Sequence, residues 1–214
     1  MATREEGAGV WYHRGQALCI SRNYDRAVVC YDKALERFPD DPVLWRRKGF
    51  ALMRSGRYDE AIASFDRALA LAPDDAMAWQ RKGYALASMG RNEDALACYE
   101  KALTLNPCHI LALQSRGRVL GAMCRYDEAA ACYETVLTID PGRESAAWHR
   151  ERMRERGDLE ALASEIREAE RFVGVPACIR EVVRERDYTN AGLARAVLRE
   201  LTRRTEKATA PGTR

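Results

Sequence analysis

One sequence pattern repeats with a period of 34 residues and constrains the fold more than any other feature. Gly15, Gly49, Gly83 and Gly117 are separated by that step. Three further series share it, namely Ala27/61/95/129, the aromatic residues 31/65/99/133 and Pro39/73/107/141. Four series in register indicate stacked repeats, in which each unit buries its apolar face against its neighbours.

Each unit contains two amphipathic segments separated by a short turn. In the first segment Trp11, Trp45, Trp79 or Leu113 precedes the glycine by four residues, and a leucine follows three residues later. This spacing places the three side chains on one side of a helix. The glycine costs about 1 kcal/mol relative to alanine in a helix, so its recurrence predicts that a neighbouring helix approaches too closely for any side chain.

The second segment has the form Ala-x-x-x-aromatic-x-x-Ala, as in Ala27, Tyr31 and Ala34. Small residues around a ring suit close packing against the preceding helix. Each repeated proline is expected to end this second helix, because proline cannot continue it.

The whole pattern, W-x-x-x-G-x-x-L followed by A-x-x-x-[YF]-x-x-A and P, resembles the tetratricopeptide repeat. The resemblance covers residues 8–141, with approximate units at 8–41, 42–75, 76–109 and 110–143. Leu113 and Val136 in the fourth unit depart from the pattern but remain apolar. The resemblance implies an all-α, right-handed α-solenoid of four stacked helix–turn–helix repeats, followed by a C-terminal helical cap and an extension.

The spacing ends after Pro141, because Glu151 stands where a fifth glycine is due. We predict degenerate capping helices over 143–172, one from Arg143 to Arg156 and another marked by Leu159, Leu162, Ile166 and Val173. A cap covers the last apolar face of a repeat stack. A helical extension is predicted over 175–205 and a flexible tail over 206–214.

The sequence lacks the residues that several classes of function require. His13, His109 and His149 lie in distant regions, and no nucleophile, nucleotide-binding or metal-binding motif is present. The seven cysteines form no C-x-x-C pair, and Cys30, Cys98 and Cys132 share one repeat position that suits a small packed side chain. We therefore predict a non-enzymatic protein with no catalytic residue, metal or cofactor. Without a leader or a long apolar segment, cytoplasmic location is expected.

The resemblance implies that the first helices line a concave groove. Counting the family's groove positions along this sequence gives a candidate peptide-binding set, namely Tyr12, Gln16, Arg46, Arg47, Phe50, Arg54, Gln80, Arg81, Tyr84, Gln114 and Arg118. The set holds five arginines and no carboxylate. Since guanidinium groups pair well with carboxylates, an acidic and partly apolar peptide is the expected partner.

Other partners are left open by the same residues. The chain's own C-terminal helices could fill the groove, or the apolar side chains of 189–205 could pair with a second copy of the chain. Nucleic acid could bind the basic C-terminal helices, although a net charge of +3 is low for that function. Relatives that grip chaperone C-termini use lysine and asparagine where this chain has Tyr12, Gln16 and Arg47, which argues against that subtype.

Overall fold

A computed structural model describes residues 4–172, and over this range the fold is all α-helical. The helices are α1 (Arg4–Ile20), α2 (Tyr24–Leu35), α3 (Pro42–Arg54), α4 (Tyr58–Leu71), α5 (Ala76–Ser88), α6 (Asn92–Leu105), α7 (Ile110–Ala122), α8 (Tyr126–Ile139) and α9 (Glu144–Phe172). No helix in the described range is long and apolar enough to cross a membrane. The predicted extension at 175–205 and the tail at 206–214 lie outside the described residues.

The helices pack in chain order, each against the next. Two additional contacts join α3 to α5 and α5 to α7. Odd-numbered helices are therefore neighbours on one side of the stack, which is the arrangement of a helical-repeat solenoid. The core follows the same order as three successive clusters, centred on Phe65, Tyr99 and Tyr133.

The repeated glycines give room to the repeated aromatic rings. A β-carbon added at Gly15, Gly49, Gly83 or Gly117 would lie 2.7 to 2.9 Å from the ring of Tyr31, Phe65, Tyr99 or Tyr133, respectively. These distances are shorter than carbon–carbon contacts in packed interiors. The close approach predicted from the sequence is therefore present, and the group that approaches is the ring on the second helix of the same pair.

The repeated tryptophans connect consecutive helix pairs. The indole Nε1 of Trp45 donates to the Pro39 carbonyl at 2.6 Å, and that of Trp79 donates to the Pro73 carbonyl at 2.9 Å. Each bond satisfies a carbonyl in the turn just before the tryptophan's own helix. Leu113 has no such donor, so the turn containing Pro107 lacks this bond.

The second residue after the first helix of each pair has a left-handed backbone. Gly56 and Gly90 have φ of 82° and 77°, and the equivalent Arg22 and Cys124 have φ of 59° and 60°. Glycine takes this conformation without strain, while a residue with a β-carbon does so at a cost. In the first pair the left-handed residue is Arg22, and Asn23 follows it.

The repeat position shared by three cysteines, which was predicted to hold a small packed side chain, is buried. Cys30, Cys98 and Cys132 are all buried thiols, and Ser64 fills the same place in the second pair. The Ser64 hydroxyl donates to the Glu60 carbonyl at 2.8 Å. Burial raises the pKa of the Cys98 and Cys132 thiols, so their reactive thiolate form is disfavoured.

The C-terminal helix differs from the prediction. Two helices were expected over 143–172, whereas the structure has one continuous helix, α9. Gly157 does not interrupt it, because a single glycine costs only about 1 kcal/mol in a helix, and α9 packs against α7 and α8 up to that point. Met153 packs on Gly121, Arg154 pairs with Glu134 at 2.7 Å, and Gly157 lies beside Tyr126.

The buried tyrosines make stability sensitive to alkaline pH. Burial raises the pKa of Tyr99 to about 12, with Ser115 and Arg118 opposing the shift, and burial also raises the pKa of Tyr31 and Tyr133. The folded protein thus holds its phenol protons more tightly than the unfolded chain does. The resulting stability is complete below pH 10 and is lost as pH rises toward 12.

We expect the free energy of unfolding to fall by about 1 kcal/mol between pH 9 and pH 11 through Tyr99 alone. Urea titrations followed by circular dichroism at each pH would measure it. Tyr99→Phe should flatten the decline, while Tyr58→Phe, at the half-buried first residue of α4, serves as the control. A decline that is identical in wild type and Tyr99→Phe would contradict this assignment.

Candidate functional site

The predicted site residues lie on the odd-numbered helices. Helix α1 carries Tyr12 and Gln16, α3 carries Arg46, Arg47, Phe50 and Arg54, α5 carries Gln80, Arg81 and Tyr84, and α7 carries Gln114 and Arg118. We call the surface formed by these side chains the odd-helix face. Contacts of α5 with α3 and with α7 hold its central part together.

Arg81 is a partly buried cation of the odd-helix face. Its guanidinium carbon lies 4.6 Å from the centre of the Phe50 ring, which fixes the side chain of α5 against α3. Burial lowers the pKa of Arg81 to about 10, and the positive charges of Arg46 and Arg47 add to the effect. The guanidinium stays charged at neutral pH, within a group of three cations.

Each of these three cations has a buried donor nitrogen without a hydrogen-bond partner among the described residues, and that of Arg46 is its Nε. The Nε of Arg47 and the Nη1 of Arg81 are buried and have no hydrogen-bond partner within residues 4–172. Neither arginine forms an ion pair within that range. A buried donor without an acceptor costs about 1–3 kcal/mol, and more when charged. An anion bound at this point would supply the missing acceptors.

Arg46 is neutralised internally, which corrects one part of the prediction. Its Nε lies 2.8 Å from Oδ2 of Asp75, in the turn before α5, although its N–H does not point at that oxygen. Nη1 of Arg46 also contacts Sδ of Met77 at 2.9 Å. The other oxygen of Asp75 accepts from the Ala78 amide at 3.0 Å and caps α5. A carboxylate from the turn before α5 therefore reaches the odd-helix face, and the positive charges of the face that remain unpaired within the described residues are those of Arg47, Arg54, Arg81 and Arg118.

Arg54 is also engaged within the chain. Its guanidinium carbon lies 5.4 Å from the centre of the Tyr24 ring, and its Nε donates to the Tyr24 hydroxyl at 3.3 Å. Tyr24 begins α2, so this arginine turns toward the preceding pair and lies apart from Arg47 and Arg81. Its sequence position alone placed it in the candidate set.

At the α1 end of the odd-helix face, polar side chains form hydrogen bonds with one another. Gln16 donates through Nε2 to the Tyr12 hydroxyl at 2.9 Å, and Tyr12 packs against the Tyr31 ring. The Cys19 thiol lies 3.8 Å from the Tyr31 hydroxyl, and burial raises the pKa of the Cys19 thiol. These groups satisfy one another, so this end offers fewer free polar groups than the sequence suggested.

A cavity of about 410 Å³ lies at the other end of the face, between α5, α7, α8 and α9. We call it the α9 pocket. It is lined by Gln80, Tyr84, Leu111, Gln114, Ser115, Arg118, Tyr133, Ser145 and His149. The Tyr133 and His149 rings stack with centroids 5.1 Å apart, and Arg118 lies 5.4 Å from the centre of the Tyr84 ring. Aromatic walls and polar side chains therefore share one recess.

The candidate set contained no residue from α9. Ser145, Trp148 and His149 lie 34 residues after Leu111, Gln114 and Ser115, so they continue the same repeat positions. That step could have identified them, but the missing glycine at residue 151 had ended the repeat assignment. Trp148 is more than half exposed, its ring meets His149 edge-on, and Arg152 lies 5.0 Å from it.

The described residues include no group of histidine, cysteine, aspartate or glutamate side chains that could hold a metal ion. The acidic residues of the turns instead form local ion pairs, such as Arg57 with Glu60 and Arg125 with Glu128, both at 2.6 Å. Such exposed pairs contribute little to stability.

Models of two tetratricopeptide repeat families match most of the helical-repeat region. One matches residues 12–76 and again 46–109, and the other matches residues 111–143. No curated protein matches the sequence. The solved structure of MamA residues 41-end from Desulfovibrio magneticus RS-1 is 22% identical, covers 85% of this chain and 97% of that chain, and has a TM-score of 0.65.

Two further solved structures are similar over parts of the chain. The first tetratricopeptide repeat domain of Spaghetti (RPAP3), bound to the HSP90 peptide SRMEEVD, is 27% identical, covers 55% of this chain and 94% of that chain, and has a TM-score of 0.53. YrrB, described as a tetratricopeptide repeat protein with an unusual peptide-binding site, is 25% identical, covers 71% of this chain and 81% of that chain, and has a TM-score of 0.56. Together with the repeated glycine–ring contacts, the family matches show that this chain belongs to the tetratricopeptide repeat family.

Proposed function

We propose that this protein is a non-enzymatic interaction scaffold that binds an acidic, partly apolar peptide segment along the odd-helix face. The family, the peptide bound by RPAP3 and the peptide-binding site of YrrB support a role in protein–protein interaction. The observation that carries the acidic preference is the pair Arg47 and Arg81, whose buried donors lack acceptors in the described structure.

The scaffold would bind by preorganisation. Phe50 holds the Arg81 guanidinium in place, and both groups are fixed on packed helices. Little side-chain entropy is then lost when a carboxylate arrives, which favours affinity. Apolar contacts are available beside the cations, because Val43, Met77 and Leu111 are exposed at one repeat position on α3, α5 and α7.

The acidic groups are proposed to be side chains of the peptide and not a chaperone-type C-terminal carboxylate. Tyr12 and Gln16 already bond each other, so the α1 end is poorly suited to gripping a terminal carboxylate. The HSP90 peptide bound by RPAP3 contains two glutamates and an aspartate. The similarity of the RPAP3 domain to this chain supports acidic peptides as the class of partner. The two alternative partners, a second copy and nucleic acid, were predicted to use residues outside the described range.

The test removes two charges from the face without reversing them. We expect Arg47→Gln/Arg81→Gln to weaken binding of fluorescein-labelled acidic peptides, selected from a library on the wild-type protein, at least tenfold, because charge-assisted hydrogen bonds contribute about 1.5–3 kcal/mol each. Fluorescence anisotropy would give the dissociation constants, and amidated and free C-termini would be compared.

The matched control is Arg26→Gln/Arg37→Gln, which removes two charges from exposed positions on and just after α2. Its affinity should stay within twofold of wild type, and both variants should keep the helical circular dichroism spectrum. Equal peptide affinity in the two double variants would refute the arginine site, as would a library from which the wild type selects no acidic peptide.

A further inference from the structure

The α9 pocket has features of a binding subsite that none of the family matches assigns. Its aromatic walls come from three helices, namely Tyr84 on α5, Tyr133 on α8 and His149 on α9. Leu111 adds an apolar edge and is 58% exposed, so it is open to a ligand. A cavity of about 410 Å³ is large enough for one bulky side chain.

The polar lining restricts the chemistry of an occupant. Gln80, Gln114 and Ser115 supply amide and hydroxyl groups, Arg118 supplies the cation, and the lining contains no carboxylate. A purely aliphatic group would leave these polar groups without partners. A flat aromatic ring with a polar tip satisfies both parts, because rings stack on rings and on guanidinium groups while the tip forms hydrogen bonds.

Helix α5 contributes residues both to the pocket and to the proposed acidic site. Gln80 of its lining is adjacent in sequence to Arg81, and Tyr84 lies one turn further along α5. Packed helices lie about 8–10 Å apart, and an extended peptide advances about 3.3 Å per residue. One step between neighbouring odd-numbered helices therefore corresponds to about three peptide residues.

We propose that the α9 pocket takes an aromatic side chain with a polar tip, such as tyrosine, from the same peptide that places its acidic residues on Arg47 and Arg81. The inference rests on the proposed function for the identity of the partner as a peptide. It adds a specificity: the partner carries an aromatic residue a few positions from its acidic residues.

The test uses labelled peptides with two adjacent glutamates separated from Tyr, Leu or Ala by zero to six Gly/Ser residues, in both chain directions. At the best spacing the Tyr peptide should bind wild type at least tenfold more tightly than the Ala peptide, and more tightly than the Leu peptide. This Tyr/Ala ratio should fall to near one in His149→Ala and in Leu111→Ser.

Two controls match these variants. His13→Ala removes the exposed histidine of α1, and Val29→Ser changes an aliphatic residue of α2 that is about as exposed as Leu111. Both should keep the Tyr/Ala ratio. Because Leu111 is exposed, its substitution tests the pocket even if His149→Ala disturbs the packing of α9.

The outcomes separate the two proposals. If the Ala peptides bind but Tyr adds nothing at any spacing, the subsite is refuted while the acidic site stands. If no peptide binds, the proposed function fails, and N-acetyltyrosinamide is then titrated into isotope-labelled protein. Saturable shifts of the Gln80 and Gln114 side-chain amide signals would sustain the subsite, and unchanged signals would refute it.

Discussion

Phe65→Ala is expected to lower the free energy of unfolding by about 3–5 kcal/mol, the cost of deleting a fully buried ring together with the cavity it leaves. Phe65 is 0% exposed and lies against Gly49, which has no side chain to fill the space. A domain with a total stability of about 5–15 kcal/mol would lose a large part of it. Urea denaturation followed by circular dichroism gives the value.

Phe38→Ala provides the matched control, because Phe38 is 43% exposed in the turn after α2. The same deletion there should cost less than about 1 kcal/mol. Hydrogen exchange should locate the loss in Phe65→Ala to α3–α5, since each repeat contacts only its neighbours. Similar losses in the two variants would show that the ring of Phe65 is not the packing centre of its pair.

The same glycine-to-alanine change should alter the free energy of unfolding in opposite directions at two helical positions. At Gly9 of α1 nothing lies within 4 Å of an added β-carbon, so Gly9→Ala should stabilise by up to about 1 kcal/mol through helix propensity. At Gly83 the β-carbon would lie 2.7 Å from Cε1 of Tyr99 and 3.1 Å from the Ala95 carbonyl oxygen. Gly83→Ala should destabilise by about 1–3 kcal/mol through overpacking.

Thermal and urea unfolding of both variants would measure the difference, which we expect to reach about 2–4 kcal/mol. A third variant, Gly83→Ala/Tyr99→Leu, tests the cause, because removing the ring should reduce the penalty attached to residue 83. A stabilising Gly83→Ala would contradict the role assigned to the repeated glycines.

Much of the fold could be predicted because its determinants recur in register. The glycine and aromatic series mark the two helices of each pair. Deviations arose where one unit depends on another, as with the continuous α9, whose path is set by contacts to Gly121 and Glu134. A helix boundary fixed by tertiary contacts cannot be identified from local periodicity.

The site was less predictable for the same reason. Counting repeat positions placed Arg46, Arg47 and Arg81 on α3 and α5, but it could not show that Asp75 reaches Arg46 from the following turn. Nor could it show that Arg54 turns toward Tyr24. Such pairings depend on side-chain directions across helix interfaces, which sequence spacing does not specify.

Ion pairs join consecutive helix pairs. Lys48 of α3 contacts Asp32 of α2 at 2.7 Å, and Lys82 of α5 contacts Asp66 of α4 at 2.6 Å. Each links the first helix of one pair to the second helix of the pair before it. These two junctions therefore combine a charged contact with apolar packing.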